Sequence, residues 1–162
     1  MTYRVGYKMK ALRAHIASCV GEQIAKRMDA EMGGIELMLT PRNQGNGIDI
    51  VQQRYVAEFL IERLPFKKFD PAVLFANVAA WLMDNDPDRE DTLGELRDPD
   101  IDVVVEDESS AEVLIQVVFE EPIKLVKDPE GVIVWRGHKW KIAEYEIWVA
   151  ENLRDVVTDV RD

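Results

Sequence analysis

The densest set of hard oxygen ligands in the chain lies between Asp84 and Glu95. Counting Asp84 as one, oxygen donors fall at positions one, three, five, seven and nine, and Glu95 falls at twelve. That is the spacing of a helix-flanked calcium loop. It would also serve a small metal-dependent hydrolase built on Asp84, Asp86, Asp88 and Glu95. Three features oppose the calcium reading. Arg89 stands where the loop needs a glycine, and Asp91 replaces the usual apolar residue at eight. Arg97-Asp98-Pro99-Asp100 then leads toward a strand instead of a second helix. The plainer reading is an acidic solvated loop, so no metal or other cofactor is expected.

Other catalytic chemistry finds less support. His15 sits beside the apolar stripe of a helix, His138 falls in an expected hairpin turn, and neither adjoins a nucleophile elbow. Cys19 abuts the same stripe and reads as a small core residue. One cysteine and two histidines are too few for a structural zinc site, and a lone cysteine makes no intrachain disulfide. No carboxylate is set apart by apolar neighbours that would shift its pKa for acid–base work. Contact residues are the better candidates. Arg42, Asn43 and Gln44 lie in a glycine-containing loop without the lysine and helix of a phosphate cradle. Trp135 and Trp148, with Trp140 and Tyr145, crowd the last hairpin. Tryptophan and arginine are the residues that most often anchor protein interfaces.

The elements that must position these residues follow from periodicity. Met9, Leu12, Ile16, Val20, Ile24, Met28 and Met32 recur every three or four residues, which predicts one helix from Met9 to Met32, stopped by Gly33-Gly34. Ile35 to Thr40 alternates as a strand, and Pro41 to Gly47 reads as a mobile loop. Ile48 to Leu64 fits either period and is assigned to a strand on its aromatic and β-branched content. Asp70-Pro71 opens a helix with a cap and a first-turn proline, and Asp86-Pro87 closes it. Strands are expected over Ile101 to Glu106, Glu112 to Glu120, Val132 to Trp135 and Trp140 to Val149. Pro122 marks an edge or a bulge. Asp128-Pro129-Glu130-Gly131 is a type I turn signal, and Arg136 to Lys139 a hairpin loop. The fold class is therefore α+β: a mixed or antiparallel sheet with two main helices on one face. A single domain over 1–150 and an acidic tail over 151–162 are expected.

Composition narrows the class further. The 162 residues suit one domain, and 47% hydrophobic with 31% charged residues rules out a wholly disordered chain. No apolar run reaches the roughly 18 residues of a membrane span. Met1 to Lys10 lacks the apolar core of a secretory signal, so the chain is expected in the cytoplasm and not on a membrane. The net charge of −11 repels phosphate backbones, which speaks against DNA binding, sequence-specific binding included. The acids lie mainly after residue 50. They suit a basic protein partner, and an acidic intracellular adaptor is the alternative that composition alone leaves open.

The segment Ala79-Ala80-Trp81-Leu82-Met83-Asp84-Asn85-Asp86-Pro87-Asp88 resembles a helix end of the phage tail completion protein R family, from temperate phages with contractile tails. A strand with acids (Ile101 to Asp107), a Ser109-Ser110 turn and an alternating strand (Glu112 to Phe119) follow in the family's order. Glu130-Gly131-Val132-Ile133-Val134 continues it, and the likeness spans roughly 35–150. The resemblance implies a non-enzymatic, tail-terminator-like α+β protein. It would cap the head-proximal end of the tail tube and sheath as a six-fold ring. Its partners would be copies of itself, tube and sheath proteins, and a head-completion or connector protein. Its place would be the virion tail, assembled in the cytoplasm of the host bacterium. An acidic lumen would let DNA pass without sticking. The family brings no catalytic residues and no metal ligands to transfer.

Overall fold

The computed structural model describes residues 6–43, 45, 47–90 and 96–143. Among them the chain forms α1 (Tyr7–Val20), α2 (Glu22–Ala25), β1 (Met28–Met38), β2 (Arg42–Asn43), β3 (Ile48–Leu64) and α3 (Pro71–Asn85). A 3-10 turn (Pro87–Glu90), β4 (Asp100–Val105), β5 (Ala111–Lys127), β6 (Ile133–Trp135) and β7 (His138–Ile142) complete it. The strands run β1-β3-β5-β7-β6 in one antiparallel sheet, with β2 beside β3 and β4 beside β5. No described helix is long and apolar enough to cross a membrane. The α+β class read from the sequence holds. Two compact units divide the chain, and β3 and β5 each contribute to both.

The first unit comprises residues up to Glu36 and Arg54–Glu120, and it holds the hydrophobic core. Alternate residues of β3 (Tyr55, Ala57, Phe59, Ile61) and β5 (Val113, Ile115, Val117, Phe119) point to one face. Met9, Leu12 and Ile16 of α1 and Leu74, Val78 and Leu82 of α3 cover it. Both helices therefore pack on one face, as the period-3.6 spacing of their apolar residues requires. Asp70 caps α3 as expected: its Oδ1 accepts from the Ala72 amide at 2.9 Å, and Pro71 takes the first turn. The helix ends at Asn85, one residue before Asp86-Pro87.

The long first helix does not form. Its α-helix ends at Val20, Gly21 breaks the run at φ +90, and α2 lasts one turn. From Met28 the chain is a strand, so Gly33 and Gly34 lie inside β1 and stop nothing. Met28 and Met32 are still buried in the same core as Met9 to Val20. A spacing of four is one helical turn, but it is equally two alternations of a strand, so burial was read correctly and conformation was not. In β3 the period slips near its end. Ile61 and Leu64 are buried while Glu62 and Arg63 are exposed, and Arg63 takes a left-handed φ of +56. Arg27 satisfies the displaced carbonyls of Glu62 and Arg63, at 3.1 and 2.9 Å. Such a one-residue bulge re-aims the strand end.

The second unit comprises Leu37–Gln53 and the chain from Glu121 onward. Its described part holds β2, the first turns of β3, the end of β5, and the β6–β7 hairpin. The Asp128 turn forms as expected, with the Gly131 amide donating to the Asp128 carbonyl at 2.8 Å. The hairpin loop is shorter than expected. Arg136 and Gly137 alone turn it, with φ of +52 and +74, the signs of a type I′ turn. His138 is therefore the first residue of β7, paired with Trp135, and not a loop residue. The expected strand beyond Ala143 and the acidic tail over 151–162 lie outside the described residues.

Candidate functional site

Asp86 is the one member of the calcium-like segment whose side chain is deeply buried among the described residues, at 4% exposure. Its two oxygens are already committed. Oδ1 receives Lys8 Nζ at 2.8 Å, and Oδ2 receives Arg89 Nη1 at 2.9 Å. Arg89, which stands where a calcium loop needs glycine, is thus the cation that Asp86 serves. Asp84 belongs to α3. Residues 91–95, including Glu95, lie outside the described residues. No group of three or more His, Cys, Asp or Glu placed to hold a metal occurs among the described residues.

This buried charge centre has a structural task that follows from β5. Strand β4 pairs with β5 from Ala111 to Gln116, and β7 pairs with it from Leu125 to Lys127. Among the described residues, neither β4 nor β7 pairs with β5 between those two registers, and two side chains reach its carbonyls there. Arg89 Nη1 donates to the Val118 carbonyl and Lys8 Nζ to the Glu120 carbonyl, both at 2.8 Å. Pro122, which has no amide to offer, falls within the same gap. Glu120 also takes Arg54 at 3.1 Å. Arg89 further donates to the Arg97 carbonyl and lies over the Phe119 ring at 5.8 Å. Burial of these charges is tolerated because each is paired and hydrogen-bonded.

A cavity of about 290 Å³ opens nearby in the first unit, lined by Glu36, Arg54, Tyr55, Leu96, Arg97 and Val118 among others. Among its described lining residues no nucleophile is shown bonded to a base. The Tyr55 hydroxyl instead accepts from the Met9 amide at 3.3 Å, inside the core. Cys19 packs against that core, and burial pushes its thiol pKa up, away from nucleophilic reactivity.

The contact candidates fall in the second unit. Arg42 and Asn43 form β2, both exposed and paired with Asp49 and Ile48. Asn43 Oδ1 accepts from the Gly45 amide at 2.8 Å, so this side chain shapes the loop. The Trp135 ring packs tilted against that of Trp140, centroids 5.3 Å apart, and the Trp140 indole donates to the Trp135 carbonyl at 2.8 Å. Arg136 covers the other ring at 4.3 Å. Trp135 therefore braces its own hairpin. Gln44 and Trp148 lie outside the described residues.

What the sequence reading passed over is the pair of valine runs. The cross-strand pairing of Val134 with Lys139 puts Val134, Lys139 and Lys141 on one hairpin face, with Val132 just before β6. Val132 is 92% exposed and Val134 76%. On β4, Val103, Val104 and Val105 are 42%, 54% and 66% exposed. A run of three valines signals a doubly buried strand in isolation. Here it borders the sheet, because β4 pairs with β5 alone among the described strands.

The family model for P2 phage tail completion protein R matches residues 6–145 of the chain. A curated relative is the uncharacterized 19.2 kDa protein in the rep-hol intergenic region of Haemophilus phage HP1 (strain HP1c1). It is 34% identical over 116 residues, which cover 71% of this chain and 68% of the relative. No solved structure matches the chain.

Proposed function

Because the chain belongs to the P2 phage tail completion protein R family, its role lies in completing a phage tail, and we propose that it does so as a non-enzymatic cap. In this reading it closes the head-proximal end of the tube and sheath as a six-fold ring and presents a surface to a head-completion or connector protein. The family match over residues 6–145 carries the reading. The site geometry agrees with it. Of the charged residues that resembled a metal loop, Asp86 and Arg89 are paired with each other and Arg89 is bonded to the β5 backbone, while apolar side chains stand exposed on two edge elements. Monomers of soluble proteins seldom leave contiguous apolar surface open, and assembly components use it. Arg42, Asn43 and Trp135 stay in the proposal as contacts to neighbouring tail proteins, with Gln44 and Trp148. The protein would act in the virion tail after assembly in the host cytoplasm.

The test is genetic and visual. A stop codon in the gene, in the phage or prophage that encodes it, should yield heads and unjoined tails under the electron microscope. Supplying the chain in trans should restore joined particles. Joined, infectious particles of normal tail length without the chain would sink the proposal.

A further inference from the structure

Two exposed faces of this chain carry opposite charge, each beside exposed valines of its own. On β4, Asp100, Asp102 and Val104 lie on the side away from the core, because Ile101, between the two acids, packs against the core. From Asp100 to Glu108 there is no basic residue. On the hairpin, Val134 shares a face with Lys139 and Lys141, Val132 stands exposed just before β6, and from Gly131 to Ala143 there is no acidic residue. Asp100, Asp102 and Lys139 are exposed, as is Lys141, which approaches Asp128 only to 3.9 Å.

We propose that these two faces are the two halves of one contact between copies of the chain: the β4 face of one copy seats the β6–β7 face of the next. Valine meets valine at the centre, and lysines ring it against aspartates. Charge complementarity selects this pairing over its alternatives, since two β4 faces or two hairpin faces would oppose like charges. The two patches differ, so the contact is heterologous, and repetition closes a ring or extends a filament. The inference deepens the ring-forming reading above and rests on it for its place in the tail.

Two full-length variants test it. One carries Asp100→Lys with Asp102→Lys, the other Lys139→Glu with Lys141→Glu. Circular dichroism spectra matching the parent's show that both fold. In sedimentation velocity the parent chain should self-associate, more weakly as salt rises. Each variant alone should associate at least about tenfold more weakly. Mixed in equal amounts they should associate again, because each then offers the other a complementary face at both patches. A parent chain that stays monomeric up to about 1 mM overturns the inference. So does a mixture no more associated than its components. If the variants fail to fold, Val104→Ser and Val134→Ser replace them, and undiminished self-association in both overturns it. None of these outcomes bears on the complementation experiment, which judges tail completion separately.

Discussion

Both units bury paired charges, but the hairpin of the second also sets a run of basic residues, unbroken by any acid, in the open. In the first, Asp86, Lys8, Arg89, Glu120 and Arg54 are drawn inward and tied to one another and to the β5 backbone. In the second, Lys124 and Asp49 are likewise buried, 3.8 Å apart, while Arg136, Lys139 and Lys141 stand on an exposed hairpin beside uncovered valines. The first arrangement stabilises a fold, because a buried charge without its partner is costly. The second leaves the fold nearly indifferent to the side chain and makes the surface legible to another molecule. Reading function from this chain therefore means discounting its densest acidic segment, part of which is architecture, and weighing its bare valines.

The contrast can be broken most forcefully in the first unit. Phe119→Ala removes a fully buried ring packed on Tyr55 at 5.9 Å and Trp81 at 6.2 Å, and should cost roughly 3–5 kcal/mol in denaturant unfolding. Asp86→Ala leaves Lys8 and Arg89 without their shared acceptor. A loss of about 3 kcal/mol is expected, with added calcium giving no thermal shift in the parent chain. In the second unit, Gly131→Ala would place a methyl group against the Trp140 carbonyl. The hairpin must shift, at a cost of roughly 1–3 kcal/mol, read as faster hydrogen exchange in β6 and β7. Val134→Ser should change stability by no more than about 0.5 kcal/mol in thermal unfolding while weakening self-association.

The smallest effect sharpens the comparison from the pH side. Asp107 caps the β4–β5 turn, accepting from the Ser109 and Ser110 amides at 2.8 Å each. Those bonds, the one from Ser109 foremost, hold its carboxyl below the usual 3.8. A depressed folded pKa means stabilisation that is present above the unfolded value and lost as pH falls through the folded one. Thermal unfolding between pH 5 and pH 2 should therefore fall more steeply in the parent than in Asp107→Asn. Parallel curves would count against the cap.

Much of the fold was legible where a local cause acts alone. The Asp70-Pro71 start, the Asp86-Pro87 stop and the Asp128 turn each rest on groups within a few residues of one another, and each forms as read. The errors share another cause. Gly33-Gly34 reads locally as a helix stop, but both glycines lie inside strand β1. Arg136 to Lys139 was read as a four-residue loop. Pairing of Trp135 with His138 shortens it to two. The candidate site was less legible still. Trp135 is an interface-prone type, yet its ring is engaged by Trp140 and Arg136, which no spacing rule announces.

By itself the sequence determined the α+β class, most element boundaries after residue 48, the burial of the methionine stripe, and the likeness to a tail completion family. These depend on periodicity, capping and turn chemistry, all of which act over a few residues. Only the tertiary structure decided that Met28 and Met32 are buried from a strand, that Asp86 belongs to Lys8 and Arg89, and that the valines of β4 and β6 are bare. Lys8 and Asp86 are 78 positions apart in the chain. Whether a charge is paired or a valine covered is settled by neighbours brought together from such distances, and only the fold says which they are.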